Sequence, residues 1–124
     1  VLTCPATPIQ IGAEAAFTES GRHAADEIRS RFAARRQLVE EALPAEAHTR
    51  AELEGAFYAW VGVDPQLGGR EFTRRLLEHD RIVVLPGEAF GEGAPNWIRI
   101  SYAQEDRALE AALRTISRRL SSPW

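Results

Sequence analysis

Apolar side chains recur along this chain first at helical spacing, then in alternation, then at helical spacing again. Thr3 to Phe17 reads as a lead-in and a short helix, with Thr7 placed to cap it and Pro8 suited to its first turn. Ile9, Gly12, Ala13, Ala16 and Phe17 share one face of it, and the small residues there permit close packing. A longer helix is predicted to run to about Leu43, with Thr18 or Ser20 as its cap. Its apolar face is Ala25, Ile28, Phe32, Val39 and Ala42, a stripe that Arg35 interrupts and Pro44 ends. Ala45 to Gly55 is a polar connector.

From Ala56 the period changes to two. Phe57, Ala59, Val61 and Val63 alternate with Ala56, Tyr58, Trp60 and Gly62, which predicts a strand apolar on both faces and covered on both. Asp64-Pro65 breaks it. Gly68-Gly69 leads into a helix to about His79, with Phe72, Leu76 and Leu77 inward. Arg81 to Leu85 is a short apolar strand, Pro86 to Asn96 a glycine-bearing loop, and Trp97 to Tyr102 another strand. A last helix from about Gln104 to Leu120 turns Leu109, Ala112, Leu113, Ile116 and Leu120 inward. This order predicts an α+β fold, a small mostly antiparallel sheet of about three strands with helices packed on one face.

Composition narrows the picture. A length of 124 residues suits a single domain, residues 1–124. The net charge of −3 gives no electrostatic reason to expect nucleic acid, and no run is apolar enough to cross a membrane. The one cysteine, Cys4, cannot pair within the chain, which suits a reducing, cytoplasmic setting. The sequence contains no methionine at all, so a piece of a longer protein is expected. All 15 basic residues are arginine, so no side-chain primary amine is present to form a Schiff base.

The candidate chemistry lies in the strand from Trp97 to Tyr102. Ile98, Ile100 and Tyr102 point one way, and Trp97, Arg99 and Ser101 the other. Arg99 therefore stands on the face away from the isoleucines. Its charge cannot readily be lost, and its planar fork matches a carboxylate through two parallel hydrogen bonds. The ordinary role of a strand arginine is a solvated or ion-paired surface group, and the strand alone does not separate the two.

The surrounding sequence does more. RIVVLPGEAFGEGAPNWIRISYA, from Arg81 to Ala103, resembles the end of class I/II aminotransferases of fold type I: Pro86, Gly87, Phe90 and Gly91, then Gly93, then Trp97, Ile98, Arg99, Ile100 and Ser101. EDRALEAALRTISRRL is similar to that family's last helix, GAFYAWVGV to its Gly-Ala-Phe-Tyr strand, and ARRQLVEEAL to its Arg-Arg-Asp-x-Leu helix end. The opening TCPATPIQIGAEAAF resembles the helix that begins the small domain's side of the chain. The pieces occur in order over nearly the whole sequence. Glu54 stands where the family often has proline, and Gln37 where it has aspartate.

The resemblance implies a carboxy-terminal small domain, about the last third of such an enzyme, without its large cofactor-binding domain. It implies pyridoxal phosphate as the parent's cofactor, held by a lysine that this chain lacks, so the chain alone is expected to be inactive. It implies that Arg99 binds the carboxylate of the amino-acid and 2-oxo-acid substrates, and that the parent is a homodimer. Phe90 is expected to approach the site or to anchor its turn. Three other readings share these residues: a carbon–sulfur lyase or cyclopropane-forming synthase, an aminotransferase-like domain of a transcription regulator, and a structural fragment without activity. The fragment is also expected to expose apolar surface and to self-associate.

Other signals are weaker. Gly91-x-Gly93 is followed by a strand and not a helix, which argues against a phosphate cradle. His23, His48 and His79 lack metal-ligand spacing. Arg35-Arg36, Arg74-Arg75 and Arg118-Arg119 sit among acids on helices and read as solvated faces. Cys4 lies near a helix start but reads as structural, and Ser101 has no His–acid pair near it in sequence. No catalytic, cofactor or metal residue is assigned.

Overall fold

In the computed structural model, which describes residues 4–44, 53, 55–122 and 124, strand β3 (Trp97–Ser101) lies between β1 (Tyr58–Gly62) and the two-residue β2 (Leu85–Pro86). Both pairings are antiparallel: Trp60 faces Arg99 and Val61 faces Ile98 across β1, while Leu85 faces Arg99 and Pro86 faces Ile98 across β2. Among the described residues four α-helices complete the order: α1 (Thr7–Glu14) and α2 (Glu19–Ala42) before the sheet, α3 (Gly69–Arg75) after β1, and α4 (Asp106–Ser121) after β3. The expected α+β class, with a small antiparallel sheet of three strands, is what the chain adopts. His48, Glu54 and most of the connector lie outside the described residues.

The chain divides into two compact units, one ending at Ala33 and one beginning at Ala34. In the first, Ala6 and not Thr7 precedes α1, without a side-chain cap, and Pro8 sits in the first turn as expected. Thr18 does cap the start of α2: its Oγ1 accepts from the Gly21 N–H at 3.1 Å and its hydroxyl donates to the Ala15 carbonyl at 2.7 Å. The shared face expected of Ile9 and Phe17 is not buried; they are 65% and 78% exposed.

The core belongs to the second unit. Alternation puts Ala59, Val61, Ile98 and Ile100 on one sheet face, and all are buried. Val39 of α2, Phe72 of α3, the following Leu76, and Leu109, Leu113 and Ile116 of α4 join them. Of the stripe expected on α2, Val39 is buried but Ala25 and Ile28 are exposed, Ile28 by 53%, and Arg35 within it donates from Nε to Asp106 Oδ1 at 2.6 Å, in the first turn of α4. The Glu105 carboxylate caps α4, accepting from the N–H groups of Arg107 and Ala108.

Three further expectations fail around the sheet. Phe57 was expected in line with Ala59, yet it precedes β1 and is 38% exposed, because the left-handed turn at Ala56 (φ 58°) swings the chain there. Tyr102 holds that turn, its hydroxyl donating to the Ala56 carbonyl at 2.9 Å and its N–H to Phe57 at 3.0 Å. Leu77 was expected inward and is 48% exposed, because α3 continues as a π-helical turn, Leu76–Asp80, whose wider spacing leaves only Leu76 on the inner face. The strand expected over Arg81–Leu85 shrinks to Leu85–Pro86, because Arg81 closes the π turn in a left-handed conformation (φ 59°).

That turn is tied to α4 by charge. Arg119 donates from Nε and a terminal nitrogen to the two Asp80 oxygens, both at 3.0 Å, and Arg118 lies 3.7 Å away. The Asp80 side chain is only 10% exposed, and the Arg119 hydrogen bond holds its carboxyl below the ordinary 3.8. A depressed carboxyl contributes stability that is complete above the unfolded-state pKa and is lost as pH falls through the folded value. Asp80→Asn is therefore expected to lower Tm at pH 7, and the gap from the parent chain to close as pH falls below about 4. Melts recorded by circular dichroism from pH 7 to 2 check this; a gap that persists undiminished at pH 2 contradicts it.

Candidate functional site

The sheet face opposite the core is built of larger and more polar side chains. Tyr58 and Trp60 come from β1, Trp97, Arg99 and Ser101 from β3, and all are half-buried. Because β3 is central and Arg99 is its middle residue, the arginine is flanked on both sides, by Trp60 in register on β1 and by Leu85 on β2.

Aromatic rings surround the guanidinium. Its central carbon lies 4.0 Å from the centroid of the Tyr58 ring and 4.2 Å from that of Phe90. Such contacts are attractive through the ring quadrupole. Phe90 meets the edge of Trp60 at 5.7 Å, and Trp60 stacks on Trp97 at 6.2 Å with the planes 15° apart. Among the described residues none forms an ion pair or a hydrogen bond with the Arg99 side chain. Its side-chain N–H groups are thus uncommitted while two rings lie against the guanidinium carbon, an arrangement able to take a planar anion.

Phe90 reaches this position because of the turn that carries it. After Pro86 the chain makes a 3₁₀ turn, Gly87–Phe90. A Cβ at Gly87 would stand 2.3 Å from the Ala94 carbonyl oxygen and 2.9 Å from Trp97 Cβ, so glycine lets the two ends of the loop close on each other. Arg70 of α3 holds the turn from outside, its Nε donating to Glu88 Oε2 at 2.7 Å. Within the loop, Gly91 N–H donates to Glu88 and Trp97 N–H to Ala94, and the Pro95 carbonyl accepts from Gly69 N–H at 2.7 Å.

Sequence reasoning singled out Arg99 and Phe90, and the fold brings them together. It did not pick out Tyr58 and Trp60. Alternation had put both on one face of β1, but only the pairing register with β3 places that face beside Arg99. The remaining candidates lie apart. His23 is exposed and 3.5 Å from Glu27, His79 is near Trp124 at 6.1 Å, and Cys4 is exposed. Ser101 Oγ accepts from Ala103 N–H at 3.4 Å. Among the described residues no group of three or more His, Cys, Asp or Glu side chains could hold a metal.

The arginine pairs are matched by acids, but the solvated faces expected of them fail at Arg35 and Arg119, whose side chains are 14% and 22% exposed and bind Asp106 and Asp80 on other elements. Arg36 faces Glu40, Arg74 binds Glu71 and Glu78, and Arg75 binds Glu71. Hydrogen bonds from Arg74 and Arg75 pull the Glu71 carboxyl down to about 2. A groove of about 490 Å³ runs between the Asp80–Val84 segment and one side of α4, lined by Ile82, Val84, Ile100, Ala108 and Ala112 among others, and it does not include Arg99. No helix among the described residues is long and apolar enough to cross a membrane.

Comparison with known proteins yields one family. Residues 2–116 match the family model described as aminotransferase class I and II. The chain is 35% identical over 113 residues to aromatic-amino-acid aminotransferase 2 of Thermococcus litoralis, a match covering 90% of this chain and 29% of that protein. Identity to the aspartate aminotransferase of Pyrococcus abyssi is also 35% over 113 residues, with the same coverage. Among solved structures, the aromatic aminotransferase of Pyrococcus horikoshii matches with a TM-score of 0.83 at 35% identity, over 96% of this chain and 32% of that one. An aminotransferase of Mycobacterium tuberculosis matches with 0.85 at 31%, over 98% and 32%. The chain thus spans under a third of the length of the curated relatives it matches.

Gly87→Ala is expected to destabilise the chain by about 1–3 kcal/mol, since a methyl group there must displace backbone. Urea unfolding measures it; an unchanged midpoint would show that the loop yields without cost.

Proposed function

The chain belongs to the aminotransferase class I and II family, and from that premise we propose that it supplies the substrate-carboxylate end of an amino-group-transferring enzyme. Arg99 grips the carboxylate of the amino acid and of the 2-oxo acid that exchange the amino group. One observation carries the assignment: a half-buried arginine on the sheet face away from the core, with two rings against its guanidinium carbon and its side-chain donors uncommitted among the described residues. A bidentate carboxylate is the partner its fork geometry fits, and each such charge-assisted bond contributes roughly 1.5–3 kcal/mol. Holding the carboxylate fixes how the bonds at the substrate's α-carbon are oriented, which is a catalytic contribution made without proton transfer.

The family implies pyridoxal phosphate, which acts as an electron sink for the α-carbon. The residues of this chain do not fit the covalent holding of that group, because all 15 basic residues are arginine. No reaction step through it is assigned to these residues. We assign its holding to a lysine-bearing large domain of a longer protein, with a homodimer as the assembly. The division of labour is consistent with a chain that covers 29% of its relatives. Amino-group transfer is favoured over elimination or regulation because the relatives named above are all aminotransferases.

Two outcomes test this. In an enzyme carrying this segment together with its lysine-bearing domain, Arg99→Lys is expected to lower kcat/KM for both substrates by about 5- to 150-fold, since a point charge cannot reproduce the fork. Unchanged steady-state kinetics would remove Arg99 from the site. The 124-residue chain mixed with pyridoxal phosphate and then borohydride is expected to give no reduced adduct on any side chain. Peptide mapping by mass spectrometry reads the result, and a side-chain adduct would contradict the assignment.

A further inference from the structure

We propose that Tyr58 and Phe90 are positioning residues that clamp the plane of the Arg99 guanidinium and leave its N–H edge as the only approach for a carboxylate. The proposal rests on the reading of Arg99 as the carboxylate-binding group. It adds two residues from two other elements, and a reason that the arginine is held ready.

The geometry comes from both sides of the central strand. Tyr58 belongs to β1 on one side of β3, and Phe90 to the turn that follows β2 on the other. Their ring centroids lie 4.0 and 4.2 Å from the guanidinium carbon. Each ring is supported in turn: Tyr58 by Phe57 at 4.4 Å, and Phe90 by the edge of Trp60, which stacks on Trp97. The Phe90 turn is fixed by Arg70 on Glu88 and by the close approach at Gly87.

An unrestrained arginine in this place would sample several rotamers and lose that freedom on binding. A guanidinium already held between rings has lost it beforehand, and the rings replace the water that would otherwise cover its faces. What remains accessible is the in-plane row of donors, which a planar carboxylate meets with two parallel bonds. The clamp therefore raises affinity without touching the ligand. Its loss should show first in how Arg99 is held and then in binding.

The test uses the ¹⁵N-labelled 124-residue chain. The Arg99 Nε–H resonance is assigned by its disappearance in Arg99→Lys, and 3-phenylpropionate serves as the carboxylate probe. In the parent chain the resonance is expected upfield of those of exposed arginines, because both rings shield it, and to move as the probe is added. Tyr58→Leu and Phe90→Leu should each shift it back downfield and weaken the probe about three- to tenfold, with the backbone spectrum otherwise preserved. Tyr58→Phe keeps the ring and should restore both readouts. If Arg99→Lys abolishes binding while both leucine variants leave resonance and affinity unchanged, the clamp is wrong and the reading of Arg99 stands. If the parent chain and Arg99→Lys bind the probe equally, or neither binds, the reading of Arg99 fails and takes the clamp with it.

Discussion

A guanidinium cannot shed its charge, so a sheet that carries one at the middle of its central strand has to be organised around it. Here the organisation begins with the two-residue period of β3. Ile98 and Ile100 are buried in the core, and their burial fixes Arg99 on the other face. A one-residue slip of β3 against β1 would push Arg99 into the packed layer of Val61, Leu109 and Leu113, where no counter-charge waits. The register that satisfies the core is thus the register that presents the arginine. Stability and the candidate site are set by one pairing, and changes on either face of β3 reach the other.

The periphery serves the same end. Short connections hold the elements that flank β3: the turn at Ala56 pinned by Tyr102, the Gly87 turn pinned by Arg70, and the π turn pinned by Arg119 on Asp80. Gly69 belongs to this set, since a Cβ there would lie 2.2 Å from the Trp97 carbonyl oxygen at the entry to β3. Each device acts at the end of an element and involves a residue distant in sequence. Together they limit how far the aromatic face can move relative to the core.

Much of this was legible in the sequence wherever one period dominates. The alternation in β1 and β3, the stripe on α4, and Phe72 with Leu76 on α3 all came from spacing, and the face of Arg99 followed from its neighbours. The failures have local physical causes. A π turn and a left-handed Arg81 shortened β2, and neither leaves a mark in hydrophobic spacing. Thr7 has the chemistry of a cap but sits one residue too far into the helix to serve as one. The Tyr58 and Trp60 side of the site needed the register between strands with 34 residues between Gly62 and Trp97, a fact that belongs to tertiary pairing. The cluster of Asp80, Arg119 and Trp124 has the same origin: the ring centroid lies 4.8 Å from the Arg119 guanidinium, joining residues with no shared period.

The aromatic surroundings also bear on why the cation is an arginine. Fifteen basic positions, all arginine, show a chain-wide preference that needs no local reason. At position 99 there is a local reason as well. A guanidinium is flat and weakly hydrated, so rings at 4.0 and 4.2 Å can cover its faces and still leave its donors in the plane between them. An ammonium is compact and strongly hydrated, and the same rings would strip water from donors that point in every direction. The stack therefore suits one cation and penalises the other. That asymmetry ties the two sides of the proposed site together: the rings make sense only around a planar charge, and a planar charge half-buried here makes sense only with rings to take the place of water.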